Sequence, residues 1–325
     1  MNSRLTTVEI PNKQRQSFCS EVAAGLEQTP KSLPTRYLYD HAGSDLFEAI
    51  TDLPEYYLTR AESEIFDQHA DEMMLAASAV TLIEFGSGSS KKTRKLIEAG
   101  LAQGTLQTYV PIDISKDFLQ ETASLLLVDY PELDITAVAA EYFDAADELP
   151  EFPKPKLILF LGSNIGNLTH SEAVDFLTRL RKHLRPGDHL LIGVDLEKDP
   201  SVIESAYDDS QHVTANFNLN LLKRINRELD GNFCVDQFQH HAPFLTEERR
   251  IEMRLYALED QVVNIEAIGR EYKIAKGEFI HTEWSHKYSP ERFASLCAEA
   301  NLTVEQSWLD SKGWFATMLL APINS

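Results

Sequence analysis

Apolar positions along this chain follow two rhythms, and the change between them organises it. Residues Gln14 to Glu27 read as a first helix, broken by Pro30 and Pro34. An aromatic and polar segment follows, from Arg36 through Arg60, with tyrosines at 37, 39, 56 and 57. Thr59 to about Ala77 then predicts a longer helix. From Val80 the pattern alternates strand with helix. Val80–Phe85, Leu106–Ile112, Ile135–Ala139, Lys156–Leu161 and His189–Val194 read as strands. Helices are expected over Lys92–Leu101, Ser115–Val128 and Ser171–Leu184. The Lys156–Leu161 run is almost wholly apolar, as a central parallel strand should be. Five strands alternating with helices predict an α/β fold with a doubly wound, mostly parallel sheet.

Between Pro200 and Tyr288 the alternation stops. A helix is expected over Val213–Leu229, with strands at Arg250–Leu258, Val262–Ile265 and Glu278–Thr282. This stretch reads as an inserted α+β domain covering the carboxyl edge of the sheet. Pro290–Ala300 is a helix again and Trp314–Leu320 a final apolar strand. The expected divisions are an N-terminal helical segment over 1–60, a core over 61–199, the insertion over 200–288 and the end of the core over 289–325.

Composition narrows the possibilities. The 325 residues include 43% hydrophobic ones, ample for a packed core. Thirty Lys and Arg stand against 51 Asp and Glu, a formal net charge of −21. Such a surface repels phosphate backbones, and no basic groove stands out, so no nucleic-acid partner is expected. There is no run of about 18 apolar residues and no apolar signal-peptide core in Met1–Pro11, so no membrane partner is expected either. Cys19, Cys234 and Cys297 are scattered and odd in number, with neither disulfide nor metal spacing. These features predict a reduced, cytoplasmic protein. His240-His241, and His281 and His286 around Glu283, lack the spacing of a defined metal motif, and no metal is expected.

The chemistry begins at Leu82-Ile83-Glu84-Phe85-Gly86-Ser87-Gly88-Ser89-Ser90-Lys91-Lys92-Thr93, a short strand running into a glycine turn that opens a helix. That order marks a nucleotide-type cofactor site at the carboxyl end of a parallel sheet. The dinucleotide fingerprint wants a third Gly or Ala where this chain has Lys91, so the turn suits a cofactor without a pyrophosphate, S-adenosylmethionine being the commonest. Asp113, 27 residues after Gly86, ends the next strand. It is placed either to accept the ribose hydroxyls of an adenosine or to cap the following helix. Glu141-Tyr142 follow the third strand, where an acid for the adenine amino group and an apolar wall are expected. Lys92 is either a partner for the methionine carboxylate or a solvated helix lysine. Gly162-Ser163-Asn164-Ile165-Gly166-Asn167, at the end of the fourth strand, is either a loop that orients a polar substrate or a polar loop with a helix cap at Thr169.

A chain of motifs then resembles a known family. Tyr37-Leu38-Tyr39-Asp40, Leu46-Phe47-Glu48, Leu53-Pro54-Glu55-Tyr56-Tyr57 and Thr59-Arg60-Ala61-Glu62 open the series. The glycine turn and Leu161–Asn167 continue it, followed by Gly193–Asp199, Ala206-Tyr207-Asp208-Asp209, Phe217–Asn220, Ile251-Glu252-Met253 and Thr282-Glu283-Trp284-Ser285. Together they resemble the histidine Nα-methyltransferases of ergothioneine biosynthesis over nearly the whole chain. The resemblance implies a class I, Rossmann-like methyltransferase, which carries three methyl groups from S-adenosylmethionine to the α-amino group of L-histidine; a monomer is expected, although the sequence does not settle the oligomeric state. The resemblance also implies that Gly86, Lys92, Asp113, Glu141 and Tyr142 hold the cofactor. Tyr56, Asn167, Tyr207, Met253, Glu283, Trp284 and Ser285 would hold histidine, with Asn167 and Tyr39 as the catalytic candidates. The family often has Asp-Phe where this chain has Glu141-Tyr142, a departure that touches cofactor geometry rather than reaction type.

Overall fold

A computed structural model of the chain describes residues 4–10 and 18–323. Within it the chain forms two compact units, one built mainly from residues 58–197 and 288–323, the other from 18–57 and 198–287.

The larger unit is an eight-stranded sheet. Its strands run in the order Leu5–Glu9, Asp134–Ala139, Thr108–Asp113, Thr81–Phe85, Lys156–Phe160, His189–Asp195, Phe315–Pro322 and Leu302–Leu309. The first six are mutually parallel, and the last two add antiparallel. Thr81–Phe85 and Lys156–Phe160 are central and buried at every position, which is why their sequences are mostly apolar rather than alternating, with Glu84 and Lys156 as buried charged exceptions. The chain leaves Thr81–Phe85 toward one edge and returns through Lys156–Phe160 toward the other. Phe85 and Phe160 are paired in register, so the loops that follow both strands open side by side at the switch point where such sheets bind ligands. This is the doubly wound sheet expected of a class I methyltransferase. Phe85, Phe160 and Phe176 pack beneath that end, with Phe160 and Phe176 centroids 4.8 Å apart.

Two sheet strands escape the hydrophobic pattern. Leu5–Glu9 pairs parallel with Asp134–Ala139 through a half-exposed sequence with two adjacent threonines. Leu302–Leu309 is exposed along most of its length. Neither strand presents the apolar run that marks the central ones. The Gln14 helix is seen as Phe18–Leu26, and positions 14–17 lie outside the described residues.

In the smaller unit, Phe279–His286 and Arg250–Ala257 pair antiparallel, with Phe238–His241, Phe244–Leu245 and Lys31–Ser32 at their edges. The Phe279–His286 strand extends well past the Glu278–Thr282 run expected from the sequence, and the extension carries Glu283 and Ser285. Met253 stands opposite Glu283 and Ile251 opposite Ser285, on one buried face. The register slips just beyond Met253, leaving Thr282 as an extra residue whose hydroxyl donates to the Met253 carbonyl at 3.2 Å. The unit also holds helices Phe18–Leu26, His41–Thr51, Pro200–Tyr207 and Val213–Glu228 and a separate hairpin of Gln261–Ile265 with Arg270–Ile274. Asp40 caps His41–Thr51 at the Gly43 N–H, 2.8 Å, while accepting from Asn220 and Arg227 at 2.7 and 2.6 Å. Those partners hold its carboxyl below the ordinary aspartate range despite burial, and they fix the backbone beside Tyr39.

Candidate functional site

In the larger unit, Gly86 and Gly88 adopt φ of +72° and +48°, backbone conformations that L side chains rarely take. Nothing lies within 4 Å of where a Cβ on Gly88 would stand, so that side of the turn is open to a ligand. The Gly88 N–H donates to one Asp113 oxygen at 3.0 Å, and the Ser115 N–H donates to the other at 2.9 Å. Asp113 therefore ties the turn to the next strand and holds the backbone of Ser115, the residue that precedes the following helix, which begins without a side-chain cap. Burial pushes its carboxyl up, against the backbone donors that favour the charged form. Tyr142 lies with its hydroxyl over Gly86 and its ring edge-on to Phe160, centroids 5.4 Å apart. Burial, then the nearby Asp113, raise its phenol well above the usual value. Glu141 is the N-cap of the short helix Tyr142–Glu148, accepting from the Phe143 N–H at 2.9 Å.

A buried polar network underlies the turn. Glu84 accepts from the Thr93 hydroxyl at 2.6 Å and from the Tyr109 hydroxyl, and Ser90 is 2.8 Å from Tyr109. Burial moves the Glu84 carboxyl up to about 7.

The loop after Lys156–Phe160 turns through two left-handed residues, Gly162 at φ +71° and Ser163 at +60°. Its Gly162 N–H reaches both oxygens of fully buried Glu62, at 2.9 and 3.0 Å. Glu62 also pairs with the Lys92 ammonium and occupies the space a Cβ on Gly193 would need. Lys92 is thus held by a carboxylate rather than solvated. Asn167 closes the 3-10 turn Asn164–Asn167 and is half-buried. The Thr169 helix start is a capping box, in which Thr169 and Glu172 satisfy each other's backbone N–H groups.

In the smaller unit, Tyr39, Phe47, Ile50, Tyr56, Ala206, Tyr207, Thr214, Phe217, Met253 and Glu283 line a cavity with about 270 Å³ of empty space, part of it open to solvent. Aromatic edges shape it. The Tyr39 ring lies 5.5 Å from Phe47 and 5.4 Å from Phe217, and Tyr56 lies 6.3 Å from Phe47 and from Tyr207. Glu283 enters from the strand, nearly inaccessible, with one carboxylate oxygen buried and unpartnered. Burial raises its carboxyl to about 7, with Lys287 acting the other way. On the same face the Tyr207 hydroxyl donates to the Ser285 oxygen at 3.0 Å, and fully buried Lys287 donates to Ser285 at 2.9 Å and to Tyr207 at 3.1 Å. His240 supports the Tyr207 backbone, its Nε2 2.8 Å from the Tyr207 carbonyl and its Nδ1 2.9 Å from the Asn218 amide nitrogen. Burial holds the His240 imidazole below its usual value, which makes it a neutral structural bridge.

The raised Glu283 value has a consequence for stability. A carboxyl whose folded pKa exceeds its unfolded one stabilises the fold at low pH, where both states are protonated, and loses that contribution as pH rises through the folded value. From 4.5 to about 7 this amounts to up to about 3 kcal/mol. The melting temperature of the ligand-free protein, measured against its Glu283→Gln variant, should therefore decline between pH 5 and pH 8. Parallel curves would show a Glu283 carboxylate that is already solvated or fully paired.

Tyr39, Tyr56, Tyr207, Met253 and Glu283 are thus brought together around one cavity, with Ser285 hydrogen-bonded to Tyr207. Trp284 is not among them. Strand alternation turns it to the opposite face, where it packs 4.5 Å from His281 and beneath the Arg250 guanidinium at 5.0 Å. Phe47, Phe217, Glu62 and Lys287 were missed as site candidates. The first three sit inside the quoted motifs, but nothing in their residue type separates them from ordinary core or surface positions. Among the described residues no group of three or more His, Cys, Asp or Glu is gathered as for a metal, and no helix is long and apolar enough to cross a membrane.

Comparison with known proteins agrees with this arrangement of motifs. Residues 18–322 match the family model described as histidine-specific methyltransferase, SAM-dependent. A histidine N-alpha-methyltransferase of Mycobacterium tuberculosis is 44% identical over 93% of this chain and 94% of its own length. The Mycolicibacterium smegmatis protein of the same name is 42% identical over 92% and 93%. Ergothioneine biosynthesis protein 1 of Neurospora crassa is 36% identical over 86% of this chain, which spans 32% of that longer protein. The chain belongs to the SAM-dependent, histidine-specific methyltransferase family.

Proposed function

We propose that this protein methylates the α-amino group of L-histidine three times, giving hercynine, the first step of ergothioneine biosynthesis. The observation that carries the choice of substrate is Glu283, a buried carboxylate with an unpartnered oxygen in an otherwise mostly aromatic and aliphatic cavity. Such an oxygen calls for an N–H donor, and an imidazole supplies one. Ser285, two residues along the same strand face, meets the second ring nitrogen, and Met253 opposite Glu283 packs against the ring. Asn167 and Tyr207 are assigned the α-amino and α-carboxylate groups. Tyr39 and Tyr56 offer aromatic faces to a nitrogen that becomes a permanent cation as methyls accumulate.

Bound S-adenosylmethionine supplies a methyl on a sulfonium. The residues present suit it: the open side of Gly88, the Asp113 carboxylate for ribose hydroxyls, Glu141 and Tyr142 for the adenine, and Lys92 for the methionine carboxylate. The protein's own task is alignment, since in-line displacement needs a neutral amine held in one direction. The reading also holds that the enzyme acts as a cytoplasmic monomer without a metal.

Incubation with S-adenosylmethionine and each of the common amino acids, followed by mass spectrometry, tests the proposal. Histidine should gain three methyl groups and no other amino acid more than traces. Preferential trimethylation of another amino acid, or no methyl transfer to any, would overturn it.

A further inference from the structure

Lys287 is a lysine with no solvent exposure, bonded to the hydroxyl of Tyr207, which lines the cavity, and to the Ser285 hydroxyl that Tyr207 itself contacts. Burying an ammonium is costly, so a position that keeps one has a reason to need its charge or its three donors. Here those donors go to Ser285 and Tyr207 at 2.9 and 3.1 Å, and the ammonium also stands 4.7 Å from the centre of the Tyr207 ring. An ammonium can only donate. Each hydroxyl oxygen therefore spends a lone pair on Lys287, and each hydroxyl hydrogen must point away from it. In the absence of substrate the Tyr207 hydrogen rests on Ser285. Ser285 then accepts twice, and its own hydrogen is left to donate outward.

We propose that Lys287 is a positioning residue that fixes the polarity of the histidine pocket, turning Ser285 and Tyr207 into hydrogen-bond donors toward the substrate. The inference rests on the histidine-binding reading above and deepens it. Glu283 can only accept when ionised, and Ser285 becomes a donor. The pair thus selects one neutral tautomer of the ring, its N–H on Glu283 and its bare nitrogen on Ser285. The Tyr207 hydrogen, released from Ser285, is free to meet an acceptor such as a carboxylate. Without the ammonium, Ser285 and Tyr207 can satisfy each other in either direction, and the pocket loses this discrimination.

A double-mutant cycle between Lys287→Met and Ser285→Ala tests it, read as KM for histidine, KM for S-adenosylmethionine and kcat. Lys287→Met should raise the histidine KM roughly tenfold, the scale of one lost charge-assisted hydrogen bond, while the cofactor KM stays within about threefold. Adding Ser285→Ala should cost little more, because both changes remove the same donor. Independent, multiplying effects of the two changes, or an unchanged histidine KM in Lys287→Met, would overturn the role of Lys287. If Ser285→Ala alone leaves the histidine KM unaltered, the imidazole assignment fails instead, which separates the two claims. Lys287→Gln keeps an N–H donor without the charge and serves if Lys287→Met does not fold. It should hold the histidine KM within about threefold, and a tenfold rise in that variant would equally refute the proposal.

Discussion

Replacing Glu283 by alanine should lower kcat/KM for histidine by a hundredfold or more while leaving the affinity for S-adenosylmethionine within about threefold. The carboxylate is buried, one of its oxygens lacks a partner, and the cavity around it is otherwise mostly aromatic and aliphatic. Water offers little compensation there once the substrate fills the space. Truncating one member of a buried, charge-assisted pair costs about 2–5 kcal/mol, roughly thirtyfold to several thousandfold in affinity. Glu283→Gln should lose nearly as much, because an amide presents one acceptor without the charge. The fold should not suffer. An unpaired buried carboxylate is itself a destabilising group, so either variant should melt at or above the native temperature near pH 8. Calorimetry with each ligand separately, together with thermal melts, decides the matter. Equal loss of histidine and cofactor binding, or a melting temperature lower by many degrees, would make Glu283 a structural residue.

The reasons Glu283 was legible in the sequence, and Lys287 was not, are physical. A glutamate and a serine two apart on a strand must share a face, so the motif Glu283-Trp284-Ser285 already implied a two-point contact. The same alternation sends Trp284 the other way, and a motif read as a block conceals that. Lys287 is two residues beyond Ser285 on the same side, but lysines normally sit in solvent, and only burial reveals the exception. The parallel sheet was readable because its central strands are buried on both faces and so are mostly apolar without alternation. Leu5–Glu9 and Leu302–Leu309 lie at the sheet's edges, where half the positions face water and the signal weakens. The glycine turn shows the same contrast. Gly86 and Gly88 declare a left-handed backbone by residue type, whereas the carboxylate of Glu62, fitted against Gly193 and the Gly162 N–H, depends on contacts 100 residues or more apart in sequence.

The second large effect is expected at Asp113. Its two oxygens already hold the Gly88 and Ser115 N–H groups, and burial has raised its carboxyl above the ordinary range. A carboxylate has about four lone-pair sites, so two remain for ligand hydroxyls after the backbone is satisfied. Asp113→Ala removes those ligand contacts and unfastens the turn from the neighbouring strand, leaving Gly88 free to move. At about 1.5–3 kcal/mol for each hydrogen bond to a charged group, loss of the ligand contacts alone predicts a fall in S-adenosylmethionine affinity of at least a hundredfold. Asp113→Asn keeps one acceptor oxygen and should fall between the variant and the native protein. Histidine affinity measured by calorimetry without cofactor should change by less than threefold in both. Cofactor affinity that survives Asp113→Ala would reduce this residue to a backbone anchor for Gly88 and Ser115. A graded loss, native to Asn to Ala, with histidine binding intact, would show that the carboxylate serves the ligand as well as the turn.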